Sequence, residues 1–142
     1  MPKTVNLKQK PYQLNDQQLA WVEKTLSQLS DEEKIGQLFV NLFFFGEDAF
    51  SGNQLTNKEI LEKYHIGGAR YMNGTPEQVQ TLLNDLQSHS KVPLLVAANC
   101  DSGGDGAVTG GTYISSGAQS EASRDPWVAY HAGLVSAREE KA

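Results

Sequence analysis

The stretch GGARYMNGTPEQVQTLLNDLQSHSKVPLLVAA, residues 67–98, decides the fold. Its first residues, "GGARYM" (67–72), form a short strand candidate. Thr75 and Gln78 then have the spacing of a capping box, in which each side chain satisfies an end-of-helix N–H, and Pro76 takes the first helical position. Val79, Leu82, Leu83 and Leu86 follow at helical spacing and predict a buried stripe. "VPLLVAA" (92–98) is the clearest strand in the chain. Two strands joined through a helix make a βαβ unit, with a parallel pairing and a right-handed crossover.

Upstream the same alternation appears. Residues 17–29 carry Leu19, Val22, Leu26 and Leu29 on one helical face, with Asn15 or Asp16 as N-cap. Ser30 and Glu33 form a second capping box, and a short helix leads into "LFVNLFF" (38–44). Its continuous apolar character predicts a strand buried on both faces. Thr56 and Glu59 open a helix running to about His65. Downstream, Asp125 and Pro126 start a last helix that runs to the C-terminus. It ends at "SAREEKA" with no glycine cap, proline or following strand, so the chain reads as cut rather than finished. Three βα units make either a small open sheet or the start of a barrel, which typically needs about 250 residues.

The bulk numbers fit one folded domain. The chain has 142 residues, 39% hydrophobic and 20% charged, with a formal net charge of −5. No Lys/Arg cluster is present, so nucleic-acid binding is not expected. The single cysteine, Cys100, excludes an intrachain disulfide. "LFVNLFFF" is too short to span a membrane, and the N-terminal "MPKTVNLKQKPYQLNDQQ" lacks a signal-peptide core. A cytoplasmic location without membrane attachment is the expectation. Nothing in the sequence sets the oligomeric state.

In parallel α/β folds, ligands sit beyond the C-terminal ends of the strands. Three loops qualify: residues 45–55, 73–75 and 99–124. The third holds six of the 13 glycines and opens with "NCDSGGDGAVTGG" (99–111). A dinucleotide fingerprint fails because no helix is expected at the glycines. A P-loop fails because Thr112 stands where its lysine belongs. An EF-hand loop fails because Thr112 also stands where a bidentate Glu is required. Cys100 lacks a marked histidine base and reads as a half-buried thiol. Arg70, near a strand end, reads as a barrel-interior pairing residue. Asn99 and Asp101 lie at the strand end, where the scaffold holds them firmly. A neutral amide beside a carboxylate suits hydrogen bonding to vicinal hydroxyls, as on a sugar.

Five stretches, in order, carry a family resemblance: "LSDEEKIGQLFV" (29–40), "YHIGGARYM" (64–72), "TPEQVQTLLNDLQ" (75–87), "VPLLVAANCDSGG" (92–104) and "DPWVAYHAGLVSARE" (125–139). Over residues 14–142 the chain resembles the start of glycoside hydrolase family 3. The resemblance implies an α/β fold of parallel (β/α) units, the first three of a TIM-like (β/α)8 barrel that is incomplete in this chain. Residues 1–142 would be an N-terminal fragment of the catalytic domain, with 1–14 an extension. The implied activity is hydrolysis of terminal β-linked glycosides, of β-N-acetylhexosaminidase or β-glucosidase type. The implied mechanism is retaining, through a covalent glycosyl-enzyme.

By the same resemblance, Asn99 falls where the family carries an acidic residue that binds hydroxyls of the terminal sugar. Asp101 falls near the acid preceding the paired glycines, and the glycines would let the sugar approach closely. Two departures matter: Ser102 adds one residue before Gly103, and no arginine follows the glycines. The family's Lys-His pair, acid/base and aspartate nucleophile come from later strands. No catalytic residue, cofactor or metal ligand is therefore assigned here, and the fragment is expected to be inactive alone. The rival readings are a complete small α/β module holding an anionic ligand in its glycine loop, and a non-catalytic remnant.

Overall fold

The structure is a computed structural model that describes residues 5–45, 55–101 and 103–141. Residues 46–54 of the first candidate loop, and Ser102 of the third, lie outside the described residues. The elements are α1 (Asp16–Ser27), α2 (Asp31–Gly36), β1 (Val40–Phe43), α3 (Asn57–Tyr64), β2 (Gly68–Tyr71), α4 (Pro76–Ser88), β3 (Leu95–Ala97), α5 (Gly117–Ala122) and α6 (Pro126–Lys141). A 3-10 turn at Gly104–Gly106 interrupts the glycine loop.

Local chemistry sets where the helices begin. Ser30/Glu33, Thr56/Glu59 and Thr75/Gln78 all form the reciprocal capping boxes their spacing predicts. Asn15 caps α1, paired with Gln18. The Asp125 carboxylate accepts the Trp127 N–H at 3.0 Å and so caps α6. His65 closes α3 in a left-handed conformation, its N–H donating to the Leu61 carbonyl.

The strands form one parallel sheet in the order β1-β2-β3. Register puts Val40, Gly68 and Leu95 abreast, and likewise Leu42, Arg70 and Ala97. Successive side chains alternate faces. Phe43, Ala69 and Tyr71 therefore share one face, and they are buried with Ile60 and Leu61 of α3 and Val79, Leu82 and Leu86 of α4. Leu83 packs at the margin of this core. The arrangement is that of the first units of a TIM-like barrel, with helices on the outside.

Several expectations are corrected. The 38–44 segment is not buried on both faces: Leu38 is 83% exposed and Val40 65%. Leu95 of β3 is 80% exposed. Only the helix-facing side of the sheet is covered, because no described residue forms a layer over the other. Leu26 of α1 is exposed, whereas Leu29 is buried. The strand within 92–98 spans only Leu95–Ala97. The 99–124 segment is not one loop, since α5 starts at a capping box of Ser116 and Gln119.

Candidate functional site

The C-terminal ends of the strands meet as one surface. Asn73, just after β2, donates from Nδ2 to the Asp105 carbonyl at 3.0 Å. The Thr109 N–H donates to the Gly74 carbonyl at 2.9 Å, and Gly74 and Val108 form a parallel bridge. Phe45, beyond β1, packs against Gly74. The loops after β2 and β3 are thus tied together, with the end of β1 beside them.

Asn99 lies two residues beyond Ala97 and is exposed. Asp101 is also exposed and lines an open cavity of about 670 Å³ with Ser115, Ser120, Arg124 and Asp125. Neither side chain is consumed by a hydrogen bond to another described residue. Both are free to meet hydroxyls, but they are not drawn into one closed pocket by these residues. A larger cavity, about 810 Å³, lies elsewhere, between the starts of α3 and α4, lined by Phe45, Asn57, Gln78, Leu82 and His89. Its residues belong mainly to the helical layer, so it lacks the strand-end placement expected of a barrel active site.

The glycines have a different use from the one expected. A Cβ on Gly106 would overlap the Asn99 carbonyl oxygen, and one on Gly103 would overlap the Thr112 carbonyl oxygen. Gly103 also has φ of 107°, a conformation that favours glycine. These two residues give clearance to the loop's own backbone rather than to a ligand. Asp105 braces the far side, its carboxylate accepting the Gly110 N–H at 2.9 Å.

Electrostatics weigh against an anion in this loop. Glu139 and Glu140 of α6 line a cavity of about 660 Å³ with Tyr71, Val96, Gly104 and Gly110. The 3-10 turn is too short to offer a helix N-terminus, and α5 begins only at Gly117. Cys100 donates its thiol to Glu140. Burial, that hydrogen bond and the charges of Glu140, Asp101 and Glu139 push the thiol up to about 11. A protonated thiol is a poor nucleophile. Burial, with the charges of Glu140 and Cys100, also raises the neighbouring Tyr71 hydroxyl. Arg70 is half-buried on the uncovered sheet face and has no ion-pair partner among the described residues.

The part sequence reasoning missed is the return of α6 onto the strand ends. Glu139 and Glu140 are remote in sequence from Asn99. A carboxylate pair in a last helical turn was the available signal, because such acids oppose the helix dipole and call for another partner.

Known proteins share this arrangement. A curated relative, the beta-N-acetylglucosaminidase/beta-glucosidase of Cellulomonas fimi, is 30% identical over 112 residues, covering 79% of this chain and 19% of the relative. A solved structure of the beta-glucoside phosphorylase BglX bound to 2FGlc is 32% identical, with a TM-score of 0.74 over 91% of this chain and 22% of that one. These likenesses bear out the resemblance to a fragment of glycoside hydrolase family 3. A second BglX structure, at the same identity, gives a TM-score of 0.71. No family model matches the chain. The chain spans about a fifth of the length of these family 3 relatives. Its three strands and their helices correspond to the opening units of the family 3 barrel.

Proposed function

We propose that the chain supplies the first three β/α units of a barrel that cleaves terminal β-linked glycosides, and that Asn99 and Asp101 bind hydroxyls of the terminal sugar. The observation that carries this reading is the placement of an exposed amide and carboxylate just beyond β3. Strand ends of this kind build the active site in barrel enzymes. Likeness to relatives named for β-glucosides and β-N-acetylglucosaminides supports the substrate class.

The chemistry is a retaining displacement. A carboxylate nucleophile supplied outside these residues attacks the anomeric carbon as an acid protonates the leaving oxygen. Water then attacks the glycosyl-enzyme and releases the sugar with its β configuration. Asn99 and Asp101 hold the sugar through its hydroxyls and take no part in bond breaking. The exposed Asp101 carboxyl is open to hydrogen bonding with a sugar hydroxyl.

A second reading follows from the phosphorylase relatives: the same glycosyl-enzyme could be resolved by inorganic phosphate. One experiment separates the two. The gene is read beyond codon 142, and the encoded protein is assayed on p-nitrophenyl β-glucoside with and without phosphate. Free glucose at an unchanged rate supports hydrolysis. Phosphate-dependent glucose 1-phosphate supports the second reading. Turnover of neither this substrate nor its N-acetylglucosaminide analogue sinks both.

A further inference from the structure

The last turn of α6 brings two carboxylates onto the glycine loop. Glu139 accepts both the backbone N–H of Thr112, at 2.9 Å, and the Thr112 hydroxyl. It lies so close to Gly104 that a Cβ there would overlap its carboxylate. Glu140 accepts the thiol of Cys100. Cys100 stands between Asn99 and Asp101 on the outgoing arm of the loop, and Thr112 is on the returning arm. The arms are also joined to each other, since Gly103 bridges both Asp101 and Tyr113. Neighbouring acids on one helix thus hold both arms of one loop.

From these contacts the geometry points to Glu139 and Glu140 as positioning residues for the sugar site, which fix the backbone from which Asn99 and Asp101 project. This inference rests on the proposed sugar-binding role of those two residues. A second argument comes from the helix itself. Acids at a helix C-terminus meet the negative end of the macrodipole and weaken the helix. A sequence that breaks a local rule in this way points to a gain elsewhere. Here the gain is bidentate acceptance at Thr112 and a charge-assisted bond from Cys100. Glu139, Glu140, Asp101 and Tyr71 are the titratable groups acting on or facing the thiol, and none of them is a base cation that would activate it.

The lone cysteine is a built-in reporter. Its alkylation by iodoacetamide is followed from pH 7 to 10 in the intact chain and in E140Q, E139Q and T112V. A thiol titrating about two units above the ordinary value holds ~100-fold less thiolate near pH 8. The intact chain should therefore react far more slowly than glutathione, and E140Q should react about three- to tenfold faster than the intact chain. In parallel, methyl β-glucoside is titrated while the amide resonances of Asn99 and Asp101 are followed. E139Q and T112V should each weaken binding about three- to tenfold while leaving the melting profile the same as that of the intact chain.

T112V leaves every charge in place and guards against misfolding of the charge variants. An ordinary thiol in the intact chain, or an E140Q rate equal to it, overturns the clamp. Unchanged glucoside affinity in E139Q and T112V, beside a loss in D101N, overturns the positioning role and leaves the sugar site standing. A thiol released in E140Q, with no glucoside bound by any form, overturns the sugar site and not the clamp.

Discussion

Asn99 and Asp101 were legible in their placement: both fall just beyond an apolar strand and are exposed. The glycines beside them were not. The overlap at Gly106 is with the Asn99 carbonyl, seven residues back, and no spacing rule reports such a contact. G106A should lose about 1–3 kcal/mol, because the blocking atom is backbone and cannot swing aside. G110A meets open space and carries only the strain of its φ of 92°, so it should lose about 1 kcal/mol. Urea midpoints of the two variants check the difference. A pH effect belongs at this scale too. The Lys91 ammonium, at 2.8 Å, and then the Ser30 N–H hold the Glu33 carboxyl down at about 2. Its folded value lies below its unfolded one, so its contribution is complete above the usual carboxylate range. It is lost as pH falls from about 4.5 toward 2. K91M should therefore lose less stability than the intact chain between pH 6 and pH 2.5, as read by denaturant midpoints at each pH.

At the scale of elements, the capping boxes carried most of the legible information. Three of them start helices at the residues their spacing names, because the signal is local and needs no tertiary partner, and a fourth, Asn15 with Gln18, decides between the two N-cap candidates of α1. The fifth, Ser116 with Gln119, obeys the same rule, yet the run of small and polar residues around it hid α5 in an apparent loop. The stripe on α4 was read correctly for the same reason that it is buried: three of its members face Phe43, Ala69 and Tyr71. L86A should cost about 2–5 kcal/mol, since Leu86 is fully enclosed. Gly133 of α6 lies mid-helix with open space around its Cα. G133A should stabilise the chain by about 0.5–1 kcal/mol. Paired thermal melts measure both. What no element-level pattern shows is where α6 lands, because Ser136 is its one buried residue among those described.

At the scale of the molecule, the sheet has one covered face and one uncovered. Leu38, Phe39, Val40 and Leu95 present apolar surface, and the outer edges of β1 and β3 have no strand partner among the described residues. The continuous apolar run that gives β1 predicts burial on both faces. That is the composition of a barrel strand, whose second face is covered only by side chains from across the barrel. The 142-residue chain in isolation should therefore associate or melt broadly. Sedimentation velocity with a thermal scan checks this, and a monomer with one sharp transition would contradict it. The strand ends remain the functional centre of the account. The most direct measurement is a titration of the chain with methyl β-glucoside, followed residue by residue through backbone amide shifts. The account predicts saturable shifts centred on Asn99, Asp101 and the tied loop at Asn73, abolished in D101N. Shifts centred instead on the cavity between α3 and α4, or undiminished in D101N, would contradict it.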